Sequence, residues 1–145
     1  MKDKTIDYVL RTTWLTEQKM YNEEAAKIGS TMATGFTLLS IDPEKGTPST
    51  ALGPKMGMEA TSLSRITKTM EQNGLIERCP NPDDGRGVII CLTEFGREKR
   101  AFSSEKVLIF NEVIRNNVSE EKLKHFYEVC ELINDMVSNK KIYDQ

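Results

Sequence analysis

The sequence has no C-x-x-C pair, and its three cysteines, Cys79, Cys91 and Cys130, stand with a single histidine, His125. That set is too sparse and too scattered for a zinc site or a disulfide framework. No nucleophile is placed beside a base, so there is no catalytic dyad to build on. The expectation is a protein with no metal, no cofactor and no enzyme chemistry. No apolar run approaches the roughly 18 residues that a membrane span needs, and no basic stretch leads into an apolar signal segment. A cytoplasmic protein without a membrane partner is expected. Positive charge is not in excess either: 20 Lys and Arg face 22 Asp and Glu, for a net charge of −2. This balance argues against indiscriminate coating of nucleic acid. It leaves specific binding open, because that depends on the charge of one face.

What the 145 residues do contain is one informative stretch, from Met56 to Thr93. Leu63, Ile66 and Met70 recur at helical spacing and form a core-facing stripe, with Leu75 following. Thr61, Arg65, Lys68 and Gln72 line the opposite face, and Ser62, Ser64 and Thr69 flank it. That face carries hydroxyls, an amide and two cations, with no acid before Glu71. Arg reaches guanine edges, Ser and Thr reach bases or phosphates, and Lys neutralises a phosphate, so the helix suits a DNA groove. A solvated face that binds nothing has the same composition, and the spacing alone does not separate the two. Asn73-Gly74 supplies a helix stop. Leu75 to Cys79 then reads as a strand, Pro80 to Gly87 as a turn, and Val88 to Leu92 as a second strand. Asp84 and Arg86, two apart at the tip, are placed to pair. Such a pair either presents an oriented Arg to a narrow minor groove or staples the turn.

The run G-M-E-A-T-S-L-S-R-I, then N-G-L-I-E-R, then D-D-G-R-G-V-I-I-C-L-T-E-F-G resembles the winged helix-turn-helix core of the MarR family of bacterial transcription regulators. The motif Asp84-x-Arg86, followed by a strand ending in Leu92-Thr93-Glu94-Phe95-Gly96, carries the likeness, and chain length and helix order fit throughout. The resemblance implies a mainly α fold with a small β-hairpin wing. It implies a DNA-binding lobe over about residues 31–100, flanked by dimerisation helices over about 1–30 and 101–145. It also implies a homodimeric repressor on double-stranded, palindromic DNA, relieved by a small lipophilic or phenolic effector. Thr61, Ser62, Ser64, Arg65 and Lys68 become the major-groove readers, with Arg86 in the minor groove and Asp84 orienting it. The family's oxidant-sensing members use a cysteine in the first helix, and residues 1–30 contain none.

The rest of the chain is read from its residues. Residues 5–28 form a helix with Ile6, Val9, Leu10, Trp14, Tyr21, Ala25 and Ile28 on one apolar stripe. Trp14 and Tyr21, seven apart, line a small-molecule pocket or serve as core or dimer contact. Ser30 or Thr31 caps a second helix that runs to Ile41. Thr47-Pro48 reads as an N-cap with Pro at the first helical position of a short third helix ending near Met56. Pro54 should distort that helix or end it early. Glu59 stands at the start of the recognition helix, where a hydroxyl is the better cap. Thr93 caps a long helix, Asn116-Asn117 breaks it, and Ser119 starts a last one with Leu123, Phe126, Tyr127, Cys130, Ile133 and Val137 at helical spacing. Apolar faces at both chain ends are more than the small central lobe can cover, and a second copy of the chain can cover them.

The function that fits best is a dimeric winged-helix regulator of transcription. Two alternatives stay open: a winged-helix module that binds protein, for which the acidic charge speaks, and a small-molecule or thiol enzyme using Trp14, Tyr21 or a cysteine. Cys79 and Cys91, on facing strands of the wing, are either small apolar residues or a redox pair.

Overall fold

Hydroxyl side chains start four of the helices, Thr93 being one of them. Thr5 accepts the Tyr8 N–H (3.3 Å) at the head of α1 (Ile6–Ala26), and Thr31, not Ser30, accepts the Thr34 N–H (3.2 Å) at the head of α2 (Met32–Ser40). Ser119 does the same for the Lys122 N–H (3.2 Å) in α6 (Glu120–Ser138). Each satisfies an N–H that the first helical turn leaves without a partner. The structure, a computed structural model, describes residues 4–144, with the side chains of Asp84 and Arg86 outside that description. Among the described residues no helix is long and apolar enough to cross a membrane.

The chain divides into two units, Met1–Lys106 and Val107–Gln145. The first holds α1, α2, strand β1 (Thr47–Pro48), α3 (Ser49–Met56), α4 (Ala60–Gln72), β2 (Ile76–Asn81), β3 (Asp84–Leu92) and the start of α5 (Glu94–Asn117). The strands form an antiparallel sheet in the order β1-β3-β2. Leu38, Ile41, Leu52, Leu63, Met70, Leu75, Ile76, Ile90 and Leu92 make its core, with Ile66 packed against them and partly buried. The Leu63–Ile66–Met70 stripe thus faces inward. The result is a mainly helical winged helix-turn-helix.

Three local expectations are corrected. Thr47-Pro48 does not cap α3. Thr47 pairs with Ile90 and Pro48 with Ile89, and the buried Thr47 hydroxyl accepts the Asp42 N–H (2.9 Å), closing the preceding loop. Sheet pairing outcompetes the local capping signal, and Pro48 is tolerated because β1 lies at the sheet edge. Helix α3 does not stop early at Pro54 but continues to Met56. Pro54 removes only one intrahelical bond so near the end. The turn after it is closed by Met58 N–H donating to Gly53 (2.9 Å) and Gly57 N–H donating to Pro54 (3.2 Å). Gly57 sits at φ 63°, the left-handed conformation this motif requires. Finally, the wing turn is shorter than Pro80 to Gly87. Pro80 pairs with Val88 and Asn81 with Asp84, so Pro82 and Asp83 alone separate the strands. Pro80 fits because β2 is also an edge strand.

Thr93 and Gly96 weld the wing to α5. The Thr93 hydroxyl accepts the Gly96 N–H (3.0 Å) and donates to the Gly74 carbonyl (2.6 Å), while its own N–H donates to Leu75 (3.1 Å). A side chain at position 96 would overlap the Leu75 carbonyl oxygen. The Leu-Thr-x-x-Gly run therefore has a packing reason.

In the second unit, α6 buries no residue. Phe126, Val129, Leu132 and Val137 are each more than half exposed, at 55%, 53%, 60% and 59%. So much apolar surface on one helix calls for a covering partner.

Candidate nucleic-acid interface

Helix α4 follows α3 through the Gly57 turn, which makes the helix-turn-helix pair. Its first residue is preceded by Glu59, which makes no side-chain capping bond, as its chemistry leads one to expect. The helix start is secured instead by Leu63 N–H donating to the Glu59 carbonyl (3.0 Å). Gly74, at φ 73°, ends the run.

Thr61, Ser64, Arg65, Lys68 and Gln72 are all exposed, and Ser62 is half-buried. The structure therefore brings four of the five major-groove candidates out on one helix and leaves Ser62 half-buried on its flank. Two other hydroxyls are already engaged. Thr69 donates to the Arg65 carbonyl (3.1 Å), and the buried Thr67 donates to the Ser64 carbonyl (3.1 Å). The expected Asp84–Arg86 ion pair falls on side chains outside those described. Their backbone lies at the tip-proximal end of β3, beside the Asp83 N–H that donates to Asn81 Oδ1 (3.0 Å).

Glu71, the acid on α4, is not a free charge. Its Oε2 lies 3.5 Å from Arg78 Nε, and Arg78 Nη2 donates to Thr67 Oγ1 (3.3 Å). Sequence reasoning missed this contact because it joins a helix to a strand across a turn, where no spacing rule operates. A second set of cations holds the lobe from behind. Lys55 Nζ donates to the Ser40 carbonyl (2.6 Å), Arg100 Nε to Leu38 (3.2 Å), and Arg97 Nε and Nη2 to Pro43 (3.3 and 3.1 Å). Lys55 and Arg100 satisfy carbonyls at the C-terminal end of α2 and complement its negative pole, while Arg97 holds the loop that follows.

Trp14 and Tyr21 do not face each other directly, because Phe36 of α2 joins them. Its ring stacks on Trp14 (6.3 Å, 30°) and meets Tyr21 edge-on (5.8 Å, 67°). Nothing in the spacing of the sequence marks Phe36 as the link between them, because it lies on a different helix. Tyr21 is buried and Trp14 is 43% exposed. Burial, followed by the charge of Glu17, pushes the Tyr21 phenol above its usual range, and burial alone raises Glu17.

Cys79 and Cys91 are not directly opposite. Cys79 pairs with Ile89 and Cys91 with Glu77, which makes the two thiols diagonal neighbours on one face of the hairpin. Both are free and half-buried. Burial, with the neighbouring Cys79 adding to it, pushes the Cys91 thiol up. That disfavours the thiolate that redox chemistry requires.

Residues 31–88 match the model of the MarR family. The chain is 26% identical over 88 residues to "Uncharacterized HTH-type transcriptional regulator YdgJ" of Bacillus subtilis (strain 168). That match covers 61% of this chain and 54% of the relative, so the chain spans about half the length of this curated protein. Among solved structures, the S. aureus MepR–DNA complex superimposes with a TM-score of 0.79 at 18% identity, covering 94% of this chain and 99% of that one. The PcaV transcriptional regulator of Streptomyces coelicolor, in complex with its natural ligand, gives a TM-score of 0.77 at 16% identity, covering 94% and 99%. At these identities the likeness is one of fold.

Proposed function

We propose, because residues 31–88 match the model of the MarR family and fold as a winged helix-turn-helix, that the chain is a sequence-specific regulator of transcription, binding double-stranded DNA as a homodimer on a palindromic operator. In this reading α4 lies in the major groove. Arg65 reads a base edge, Thr61, Ser62 and Ser64 contact bases or phosphates, and Lys68 neutralises a phosphate. Arg86, oriented by Asp84, enters the adjacent minor groove. Residues 31–100 do the reading, and the helices of about 1–30 and 101–145 form the dimer. The observation that carries the proposal is the outward face of α4, where Arg65 and Lys68 stand exposed while Glu71 is held by Arg78.

The exposed apolar residues of α1 and α6 support the dimer, since Ile6 (70%) and Leu132 (60%) gain nothing from solvent. A two-fold dimer sets its recognition helices about one DNA turn apart, roughly 34–36 Å. The regulator acts in the cytoplasm as a repressor, relieved by a small lipophilic or phenolic effector that binds at Trp14 and Tyr21. The complexes of MepR with DNA and of PcaV with its ligand favour both halves of this reading.

The net charge of −2 favours the other reading, a winged helix that binds protein. Sedimentation of the full chain with fluorescent random-sequence duplexes decides between them. Two chains per duplex, with affinity falling steeply as salt rises, is the expected result. A monomer with no salt-dependent DNA binding would replace the regulator with the protein-binding module.

A further inference from the structure

We infer that Arg78 is a positioning residue for DNA reading, fixing the rotation of α4 against the wing through its joint hold on Thr67 and Glu71. The inference rests on the DNA-reading proposal above and names a residue that acts on the reading helix from outside it.

The argument starts from where Thr67 and Glu71 sit. At about 100° per residue, these two positions, four apart, share a flank of α4 between the buried Leu63–Met70 face and the exposed Arg65–Lys68 face. A contact on that flank opposes rolling of the helix in a way that a contact at the core face does not. The Arg78 guanidinium supplies it with two separate nitrogens, Nη2 to Thr67 Oγ1 at 3.3 Å and Nε to Glu71 Oε2 at 3.5 Å. Because the guanidinium is a planar fork, two contacts define a direction as well as a distance. Neither end is loose. Thr67 is 4% exposed and its hydroxyl is tied to the Ser64 carbonyl, while the Arg78 backbone pairs with the buried Ile90 in the sheet.

The same contact has an electrostatic consequence. Glu71 would repel a nearby phosphate, and its pairing turns the carboxylate toward β2 and away from the groove side. Base readers need placement to within about 0.5 Å, so a helix free to roll keeps its phosphate attraction but loses discrimination. The Arg78 side chain is 37% exposed, and a direct phosphate contact is the competing role.

A double-mutant cycle separates these roles. Arg78→Ala, Thr67→Val and the double variant are titrated against the duplex selected by the wild type and against one altered in each half-site. Positioning predicts that each single substitution lowers the affinity ratio of selected to altered duplex about tenfold, and that the double lowers it no further. The salt slope stays at the wild-type value. Arg78→Lys, which keeps the charge but not the fork, also relaxes the ratio. A ratio left intact, with a salt slope reduced by about 1, would make Arg78 a phosphate contact and overturn the inference.

Residual dipolar couplings of the free protein give an answer that needs no DNA. In the wild type α4 and the β2–β3 hairpin fit one alignment frame, and in Arg78→Ala they diverge. A shared frame in the variant refutes positioning. A wild type that selects no duplex refutes the DNA-reading proposal and leaves this second readout to decide the role of Arg78.

Discussion

Replacing Gly96 with alanine sets two opposed effects against each other. In a helix, alanine is favoured over glycine by about 1 kcal/mol, because glycine loses more backbone freedom on folding. Position 96 lies in the first turn of α5, directly against the turn that leads into β2. A methyl group there would overlap the Leu75 carbonyl oxygen and stand 3.0 Å from its carbonyl carbon. The obstacle is backbone and cannot rotate aside. That carbonyl also accepts the Thr93 N–H (3.1 Å), so moving it strains the weld between wing and helix. Forcing a methylene into a packed site costs about 1–3 kcal/mol, and a weakened hydrogen bond adds about 0.5–1.5 kcal/mol. The cost exceeds the propensity gain, and Gly96→Ala is expected to destabilise the chain by about 1–3 kcal/mol.

Gly35 provides the control. Its added methyl would meet Ser103 Oγ at 2.9 Å, the movable end of a side chain, so Gly35→Ala should be neutral or stabilising by up to about 1 kcal/mol. Urea unfolding at fixed protein concentration reads both as shifts of the midpoint at constant slope. Opposite signs support the reasoning. A Gly96→Ala variant as stable as the wild type would show that the Leu75 turn yields easily, and the packing account of the Leu-Thr-x-x-Gly run would fall.

Three further outcomes follow from the structure. Lys68→Ala should weaken selected and unselected duplexes alike and lower the salt slope by about 1, and a change confined to one sequence would instead make Lys68 a base reader. The Cys91 thiol, raised by burial, should react with iodoacetamide more slowly in the folded chain than in denaturant. Since the folded state holds that proton more tightly, stability should fall as pH rises through the ordinary thiol range; faster labelling in the folded state would contradict the assignment. Trp14 is the single tryptophan, so its fluorescence should change saturably on titration with a simple phenol, and Tyr21→Phe should weaken that change; no saturable response would remove the effector site from this cluster.

The parts of the fold legible in the sequence are those set by short-range rules. The inward stripe of Leu63, Ile66 and Met70, the stop at Asn73-Gly74 and the caps at Thr31, Thr93 and Ser119 each depend on neighbours within a turn or two. What escaped depends on partners far along the chain. Thr47-Pro48 carries a sound local signal for a helix start, yet Ile90 recruits it into the sheet. Arg97 and Arg100 reach back to Pro43 and Leu38, a connection that no periodicity announces. For the candidate site, composition and spacing place Thr61, Arg65, Lys68 and Gln72 on one face, with Ser62 and Ser64 on its flanks. The Arg78 contact with Thr67 and Glu71 becomes visible only once β2 folds against α4.

The central claim is that α4 reads bases, and it is tested most directly by comparing the motifs that wild type and Arg65→Ala select from random duplexes at moderate salt. The account predicts that the wild type enriches a palindrome. In the variant, preference at one base pair of each half-site should relax, with an affinity loss of about 1–3 kcal/mol on the original motif. An identical palindrome enriched with equal affinity by both proteins would show that Arg65 does not read DNA. Enrichment of nothing by the wild type at any salt would contradict the account as a whole.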